Sequence, residues 1–352
     1  MNKRLLFTGG GTTGHVTKNL ILMRLLKQRH PELELHYAGV EHGKEAELVK
    51  ADLATFHPIS SGKLRRYFSL ETIPDFFRFV WGMWGSFWLL RRLQPDFVFS
   101  SGGYVALPVA LAAAVRGVPV ITHETDSVPG LANRLIAKAA VKVLVGYESA
   151  LPAFGEKGLF VGNPVDPELL KGSRDKGLHR LGFSGEKPVL LVMGGSQGSA
   201  EINQLVWNAL PTLLKHWQVV HLTGKGKTRE LDLGAGAAYR PFEYISEGYA
   251  DLLAAADVVV CRGGGNSMAE VAALGKKAII IPLLSAAGDH QTKNAQEMVR
   301  KQDDWRMLKN PKEQDLLQAL EAMPRAGTGE VPEHQVAERI ARLLESYIDF
   351  SS

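Results

Sequence analysis

Leu5-Leu6-Phe7-Thr8-Gly9-Gly10-Gly11-Thr12-Thr13-Gly14-His15 is a short apolar run that enters a glycine turn and opens onto a helical pattern. The second half of the chain repeats the device: Val189–Met193 runs into Gly194-Gly195-Ser196-Gln197-Gly198, and a helical pattern follows. Glycines let a ligand or another backbone approach closely, and the helix N-terminus behind them offers N–H groups and a partial positive charge. Outward from each turn, short apolar runs alternate with longer helical patterns. Residues 35–37, 97–99, 118–121 and 141–145 read as further buried strands of the first half, and 219–222, 258–260 and 278–281 of the second. Helices are expected over 19–26, 44–53 and 109–115. This alternation predicts parallel sheets covered on both faces. The pattern restarts after Gly162-Asn163-Pro164, a turn-forming group. The expected class is therefore α/β, with two Rossmann-like, doubly wound domains over residues 1–163 and 164–335. Such sheets bind ligands at the carboxyl ends of their strands, so two domains facing each other would make a cleft.

Composition narrows the setting. The 352 residues suit two domains, and 45% hydrophobic with 22% charged residues fits a packed chain and excludes a disordered one. The net charge of +4 favours anionic partners such as phosphates or acidic lipids. No nucleic acid partner is expected. The single cysteine, Cys261, rules out an internal disulfide and suits a reducing compartment. The apolar run after Met1-Asn2-Lys3-Arg4 is too short for a signal peptide, and charged residues interrupt every stretch that could span a bilayer.

Gly9, Gly11 and Gly14 satisfy GxGxxG, and Glu41 follows the second strand where a dinucleotide fold carries its ribose-binding acid. An NAD-dependent enzyme is thus a competing reading, opposed by His15 after the third glycine and by the second phosphate-type loop. Polar Thr12 and Thr13 at the helix mouth favour a ligand over a purely structural turn. His15 could take a proton from an attacking hydroxyl, or be a structural histidine.

The segment Val258-Val259-Val260-Cys261-Arg262-Gly263-Gly264-Gly265-Asn266-Ser267-Met268-Ala269-Glu270 is the most informative. A strand enters a glycine turn and a helix follows, with Asn266 or Ser267 expected to cap it and its N–H groups able to hold a diphosphate. Glu270, one turn in, could accept hydrogen bonds from ribose hydroxyls. Downstream, Asp289-His290-Gln291-Thr292-Lys293-Asn294-Ala295 sets polar groups suited to sugar hydroxyls at another helix start, or is an ordinary helix capped by Asp289. The chain contains no Asp-x-Asp pair and no His/Cys cluster with metal-ligand spacing, so diphosphate charge would fall to helix termini and basic side chains. No metal or other cofactor is expected. Residues 63–92 are aromatic and basic: Lys63, Arg65 and Arg66, then Tyr67-Phe68, then Phe76, Phe77, Phe79, Trp81, Trp84, Phe87 and Trp88 before Arg91-Arg92. Some of these rings should be core, and a subset should face an anionic membrane.

Taken in order, GGGTTGHV (residues 9–16), SGGYV (101–105), His123-Glu124, Gly130-Leu131-Ala132-Asn133, GNPV (162–165), GGSQG (194–198), the segment ending at Glu270, and His290-Gln291 with Asn294-Ala295 resemble the MurG family over nearly the whole chain. That family transfers N-acetylglucosamine from UDP-N-acetylglucosamine to an undecaprenyl-diphosphate-linked muramoyl-pentapeptide. The resemblance implies a GT-B fold, a metal-independent inverting transfer in peptidoglycan synthesis, and a peripheral location on the cytoplasmic face of the bacterial membrane. It implies uracil against the backbone near Ile245, ribose at Glu270, and phosphates at Ser196, Gln197 and Gly198 and at the turn formed by Gly265, Asn266, Ser267, Met268 and Ala269. It further implies the transferred sugar near His290 and Gln291, with Asn133 and the first glycine loop (Thr12, Thr13, Gly14) across the cleft. His15 becomes the leading candidate for the base acting on the acceptor's 4-hydroxyl, and residues 336–352 a helix returning to the first domain. The chain departs from the family's pattern at Thr13, at Lys18 in place of Pro, at Asp126 in place of Asn, and at Asp166 in place of Arg. A UDP-sugar epimerase of similar fold, which needs no membrane patch, a transferase to a related lipid acceptor, and a catalytically silent sugar-nucleotide-binding protein are the other readings.

Overall fold

A computed structural model describes residues 3–62, 72–195, 197–234, 236–323 and 335–348. The first compact unit comprises Met1–Pro164 and Gln335–Ser352, and the second Val165–His334.

The first unit is built on strands β1 (Arg4–Thr8), β2 (Glu34–Gly39), β3 (Thr55–Pro58), β4 (Phe97–Ser100), β5 (Val120–Glu124), β6 (Lys142–Val145) and β7 (Gly158–Phe160). They form one parallel sheet in the order β3-β2-β1-β4-β5-β6-β7. Helices α1 (Thr13–Arg29), α2 (Lys44–Leu48), α3 (Thr72–Leu93), α4 (Ala106–Val115) and α5 (Leu131–Ala139) connect them. The central strands are buried on both faces, which is why they read as unbroken apolar runs rather than alternating ones. Helix α1 ends at Arg29 because His30 precedes Pro31, and the residue before a proline avoids the helical region. Helix α2 is shorter than its expected span of 44–53, closing in turns at Lys50–Leu53.

The second unit repeats the plan with β8 (Val189–Met193), β9 (Gln218–Leu222), β10 (Tyr239–Phe242), β11 (Val258–Cys261), β12 (Lys277–Ile280) and β13 (Trp305–Met307), parallel and in the order β10-β9-β8-β11-β12-β13. Its helices are α6 (Arg174–Leu181), α7 (Ala200–His216), α8 (Tyr249–Ala255), α9 (Gly265–Ala273), α10 (His290–Lys301) and α11 (Glu313–Glu321). Both units are thus Rossmann-like, as expected. In each, strand order reverses beside the first strand, between β1 and β4 and between β8 and β11. Ligand crevices form at that reversal.

The last helix, α12 (Val336–Glu345), belongs to the first unit. Val336, Ala337, Ile340, Ala341 and Leu344 lie on one helical face and are buried against Ile21, Leu22 and Leu25 of α1. Arg29 adds ion pairs to Glu338 and, at 3.1 Å, to Glu345. Burial dominates: each fully buried Leu or Ile contributes about 1.5–3 kcal/mol, against roughly 0–1 kcal/mol for an exposed ion pair.

Helix α3 divides its aromatics by face. Phe79, Phe87, Leu90 and Leu93 pack on the core with α4 and β4. Phe76, Phe77, Val80, Trp81, Trp84 and Trp88 stand outward, Trp81 at 67% exposure. Exposed Arg91 lies over the Trp88 ring at 5.2 Å, beside exposed Arg92. The basic and aromatic positions Lys63, Arg65, Arg66, Tyr67 and Phe68 lie outside the described residues. No described helix is long and apolar enough to cross a membrane.

Candidate functional site

In the first unit the candidate residues gather at the carboxyl ends of β1, β4 and β5. Gly9 takes a φ of +148°, and a side chain there would collide with Ser101 Oγ, so glycine is required where the two loops touch. Thr12 occupies the N-cap position of α1 without a side-chain capping bond. Thr13 Oγ1 accepts from Lys44 Nζ at 3.1 Å, and Gly14 follows in the first turn. His15 Nδ1 lies 2.7 Å from the Ser101 carbonyl. A carbonyl only accepts, so Nδ1 carries the hydrogen and Nε2 keeps its lone pair. Gly103 stands in front of that edge; a Cβ there would reach 3.3 Å from His15 Cδ2 and crowd the ring. The imidazole keeps some solvent exposure but sits deep among protein atoms. This burial, and then the positive charge of Lys18, hold its pKa down to about 3, while the Ser101 bond opposes the shift. His15 is therefore a neutral base with one free nitrogen at neutral pH.

Beneath it lies a buried polar network. Glu124 Oε1 accepts from the Asp126 amide at 3.0 Å, and Oε2 accepts from the Gly130 amide at 3.0 Å and from Asn133 Nδ2 at 2.9 Å. Burial raises the Glu124 pKa, and Asp126 raises it further. With both oxygens engaged, Glu124 is poorly set to receive a proton from a ligand. Asn133 is 4% exposed and its amide also donates to the His123 carbonyl at 3.3 Å, so it orients Glu124. Asp126 stays partly exposed at the rim. Glu41 is exposed in the turn after β2.

In the second unit the candidates share the carboxyl edge of β8, β10, β11 and β12. Gly198 (φ +68°) passes so close to the Thr223 carbonyl that a Cβ would collide with it. Gln197 is exposed, and its carbonyl accepts from Lys227 Nζ at 2.8 Å. Ser196 lies outside the described residues. Ser199 caps α7 by accepting from the Ile202 amide, and Arg262 Nη2 donates to that same Ser199 oxygen at 2.6 Å and to Glu201 at 2.5 Å. Arg262 thus braces the two loops that flank the strand reversal.

Helix α9 begins two to three residues earlier than expected. Its N-cap is Gly264, in extended conformation and with no side chain to cap, so neither Asn266 nor Ser267 is the cap. Gly265, Asn266 and Ser267 form the first turn, whose N–H groups need acceptors from beyond the helix; Met268 bonds back to Gly264 at 3.1 Å. Asn266 Oδ1 is buried without a partner among the described residues. Met268 and Ala269 are buried, Ala269 in a small cluster with Val165 and Ala273. Glu270 Oε2 accepts from Tyr249 Oη at 3.0 Å. Burial raises the Glu270 pKa to about 7; the Tyr249 bond lowers it and the Asp166 charge raises it. Ile245 sits in the loop after β10, half-buried. Asp289 holds the N-cap position of α10 in left-handed conformation (φ 55°), without a capping bond, so the ordinary capped-helix reading fails there. His290 is half-buried at the helix start, and Gln291 Oε1 accepts from the Leu283 amide at 2.9 Å, which leaves its Nε2 as the outward group. No group of three His, Cys, Asp or Glu among the described residues could hold a metal ion.

The residues that sequence reasoning passed over are Tyr249 and Lys227, and it gave Ser101, marked within SGGYV, no role as the partner of His15. Ser101 lies 86 positions from His15, and Tyr249 lies 21 from Glu270. No local pattern marks such partners; only the sheet order brings them together.

Comparisons with known proteins agree with this architecture. The glycosyltransferase family 28 N-terminal domain matches residues 5–145, and the glycosyltransferase family 28 C-terminal domain matches residues 189–339. A Bacillus cereus protein named UDP-N-acetylglucosamine--N-acetylmuramyl-(pentapeptide) pyrophosphoryl-undecaprenol N-acetylglucosamine transferase 2 is 43% identical over 303 residues, 85% of this chain and 84% of that protein. The Acinetobacter baumannii MurG crystal structure superposes with a TM-score of 0.75 at 22% identity, covering 98% of this chain and 99% of that one. The UDP-GlcNAc 2-epimerase of Methanocaldococcus jannaschii shares the fold alone, with a TM-score of 0.69 at 13% identity over 98% and 100% of the two chains. With both family domains matched in order, and a relative at this identity over most of its length, the chain belongs to glycosyltransferase family 28.

Proposed function

We propose that the protein transfers N-acetylglucosamine from UDP-N-acetylglucosamine to the 4-hydroxyl of a lipid-diphosphate-linked N-acetylmuramoyl-pentapeptide, with inversion, in peptidoglycan synthesis. The observation that carries this reading is the 43% identity over 85% of the chain to a transferase of that name. The site chemistry supports it. His15 Nε2 accepts the hydroxyl proton; the oxygen attacks the anomeric carbon; the bond from that carbon to UDP breaks, and UDP leaves with its electron pair. The second unit holds the donor: Glu270 takes the ribose hydroxyls, the Ile245 backbone the uracil, and His290 and Gln291 the transferred sugar. The N-terminus of α9 and the loop at Ser196, Gln197 and Gly198 take the diphosphate, whose growing charge they stabilise. UDP should be released only when a lipid-diphosphate acceptor is added, and the rate should persist in excess chelator. Isomerisation of the sugar nucleotide without acceptor would overturn the transfer, and loss of rate in chelator restored by magnesium would overturn the electrostatic account of the diphosphate.

The outward face of α3 docks on an anionic membrane surface, as a peripheral contact on the cytoplasmic face where the acceptor lipid lies. Its support is a run of exposed rings at helical spacing beside Arg91 and Arg92. Replacing Trp81, Trp84 and Trp88 together by Ser should weaken binding to anionic vesicles by about tenfold or more, since each ring gives up apolar burial. High salt should weaken the unaltered protein's binding. Turnover of a short-chain soluble acceptor should survive the triple substitution. Unchanged vesicle binding under both treatments would remove the membrane from this face.

A further inference from the structure

Lys18 lies on α1 one turn after His15 and on the same face, yet its side chain is only 2% exposed. A buried ammonium is costly unless paired, and no carboxylate among the described residues forms an ion pair with it. Its neighbours are neutral acceptors. Nζ donates to Thr125 Oγ1 and lies 3.3 Å from His123 Nδ1. The tautomer of His123 follows from its other nitrogen: Nε2 stands 2.9 Å from the Gly162 carbonyl, so Nε2 carries the hydrogen and Nδ1 offers its lone pair to Lys18. The ammonium is therefore fixed in place between α1 and the end of β5.

The charged and titratable groups around it are His15 on α1, His123 and Glu124 on β5, and Asp126 in the loop that follows. Glu124 spends its hydrogen-bonding capacity on the Asp126 and Gly130 amides and on Asn133. Its charge and that of Asp126 favour the protonated lysine from a distance, while burial brings the Lys18 pKa down to about 8. Lys18 and Asp126, two of the positions where the chain departs from its family's pattern, are thus coupled: the Asp126 charge favours the protonated lysine.

We propose that Lys18 is a positioning residue for His15: its buried ammonium, anchored on Thr125 and His123, sets a positive charge one helical turn behind the imidazole, so that His15 meets the acceptor hydroxyl with its Nε2 lone pair free. The Ser101 carbonyl fixes which nitrogen is free, and Lys18 disfavours a second proton on it. This rests on His15 being the base, and the test separates the two ideas.

Histidine ring nitrogens would be followed by NMR, with labelled histidine, in the unaltered protein, in Lys18→Met and in Lys18→Arg. Lys18→Met keeps the volume and removes the charge. It should raise the pH at which His15 protonates by about one to two units, the size expected for one like charge a turn away. The acid limb of kcat should move up with it, and Lys18→Arg should restore both toward the original values. A folded Lys18→Met whose His15 titrates unchanged overturns the proposal. Should His15 shift while the acid limb of kcat stays, Lys18 acts as proposed and the base assignment of His15 fails instead. The unaltered protein gives a check that needs no variant: the His15 and His123 rings should both show an inflection on the alkaline side as Lys18 loses its proton. Its absence at His15 overturns the proposal whether or not the variants fold.

Discussion

His15→Ala should lower kcat by about 10²–10⁴ while leaving UDP affinity close to its original value, because a positioned base contributes on that order and the proposed donor site lies in the second unit. The sugar hydroxyl is a weak nucleophile until its proton is taken. In the proposed reaction His15 takes it, with Nδ1–H fixed by the Ser101 carbonyl and Nε2 bearing the lone pair. Its pKa of about 3 also sets the sign of the pH dependence. A histidine of ordinary pKa would be half protonated near pH 6.5, and kcat would fall with it. Here kcat at saturating substrates should stay level from pH 8 to about pH 5 and fall only nearer the depressed value. The same depression is a stability statement. The folded protein resists protonating this ring, so the associated stability is complete above the unfolded pKa near 6.5 and is lost as pH falls toward 3. Measuring kcat, UDP affinity and Tm together on His15→Ala separates the roles. A well-folded variant with near-normal kcat would falsify the base assignment. Glu124, with both oxygens engaged, would be a poor successor, and suspicion would pass to Asp126.

The fold was legible where burial writes an unbroken apolar run. Every internal strand of both sheets reads directly, and β1, β4, β8 and β11 at their centres are buried on both faces. The four strands absent from the sequence reading, β3, β7, β10 and β13, are the four sheet edges. Thr55-Phe56-His57-Pro58 and Tyr239-Arg240-Pro241-Phe242 each carry a proline and polar residues, which edges tolerate because one side of the strand has no ladder to complete. The start of α9 at Gly265 lies two to three residues before the position that residue type suggests, for a related reason. A sequence offers Asn266 and Ser267 as caps by residue type, whereas the backbone turns at Gly264. At the site, local motifs mark the loops but not their partners. Nothing near Lys18 announces its burial, since lysine is almost always exposed, and only the sheet order sets it against His123, 105 positions away.

Glu270 should make donor binding pH-dependent in a range where kcat is not. A carboxylate accepting both ribose hydroxyls must be ionised, yet burial raises the Glu270 pKa to about 7. Half of the unliganded protein then carries the protonated form near neutrality. UDP affinity should fall about tenfold between pH 8 and pH 6, as the ionised fraction falls with it. Tyr249 Oη donates to Glu270 Oε2 and lowers its pKa, so Tyr249→Phe should move the same loss of affinity to higher pH without abolishing binding. Asp166 acts in the opposite direction, and Asp166→Asn should strengthen binding near pH 6.5. Glu270→Ala removes charge-assisted hydrogen bonds and should weaken UDP by roughly 1–3 kcal/mol, or about 5- to 150-fold, and its residual affinity should vary less with pH through this range, leaving only the titration of the UDP phosphate. Calorimetry with UDP at pH 6, 7 and 8 on the four proteins distinguishes this from a merely structural acid. A structural Glu270 would lower Tm on substitution and leave the pH slope of UDP binding intact in the folded fraction. The linkage runs the same way: a folded pKa above the unfolded value near 4.5 means that ionising Glu270 destabilises the unliganded protein as pH rises from 4.5 to 7. A ribose held by Glu270 as proposed offsets that cost, so the thermal stabilisation produced by UDP should be larger at pH 8 than at pH 6, and Glu270→Ala should reduce the difference.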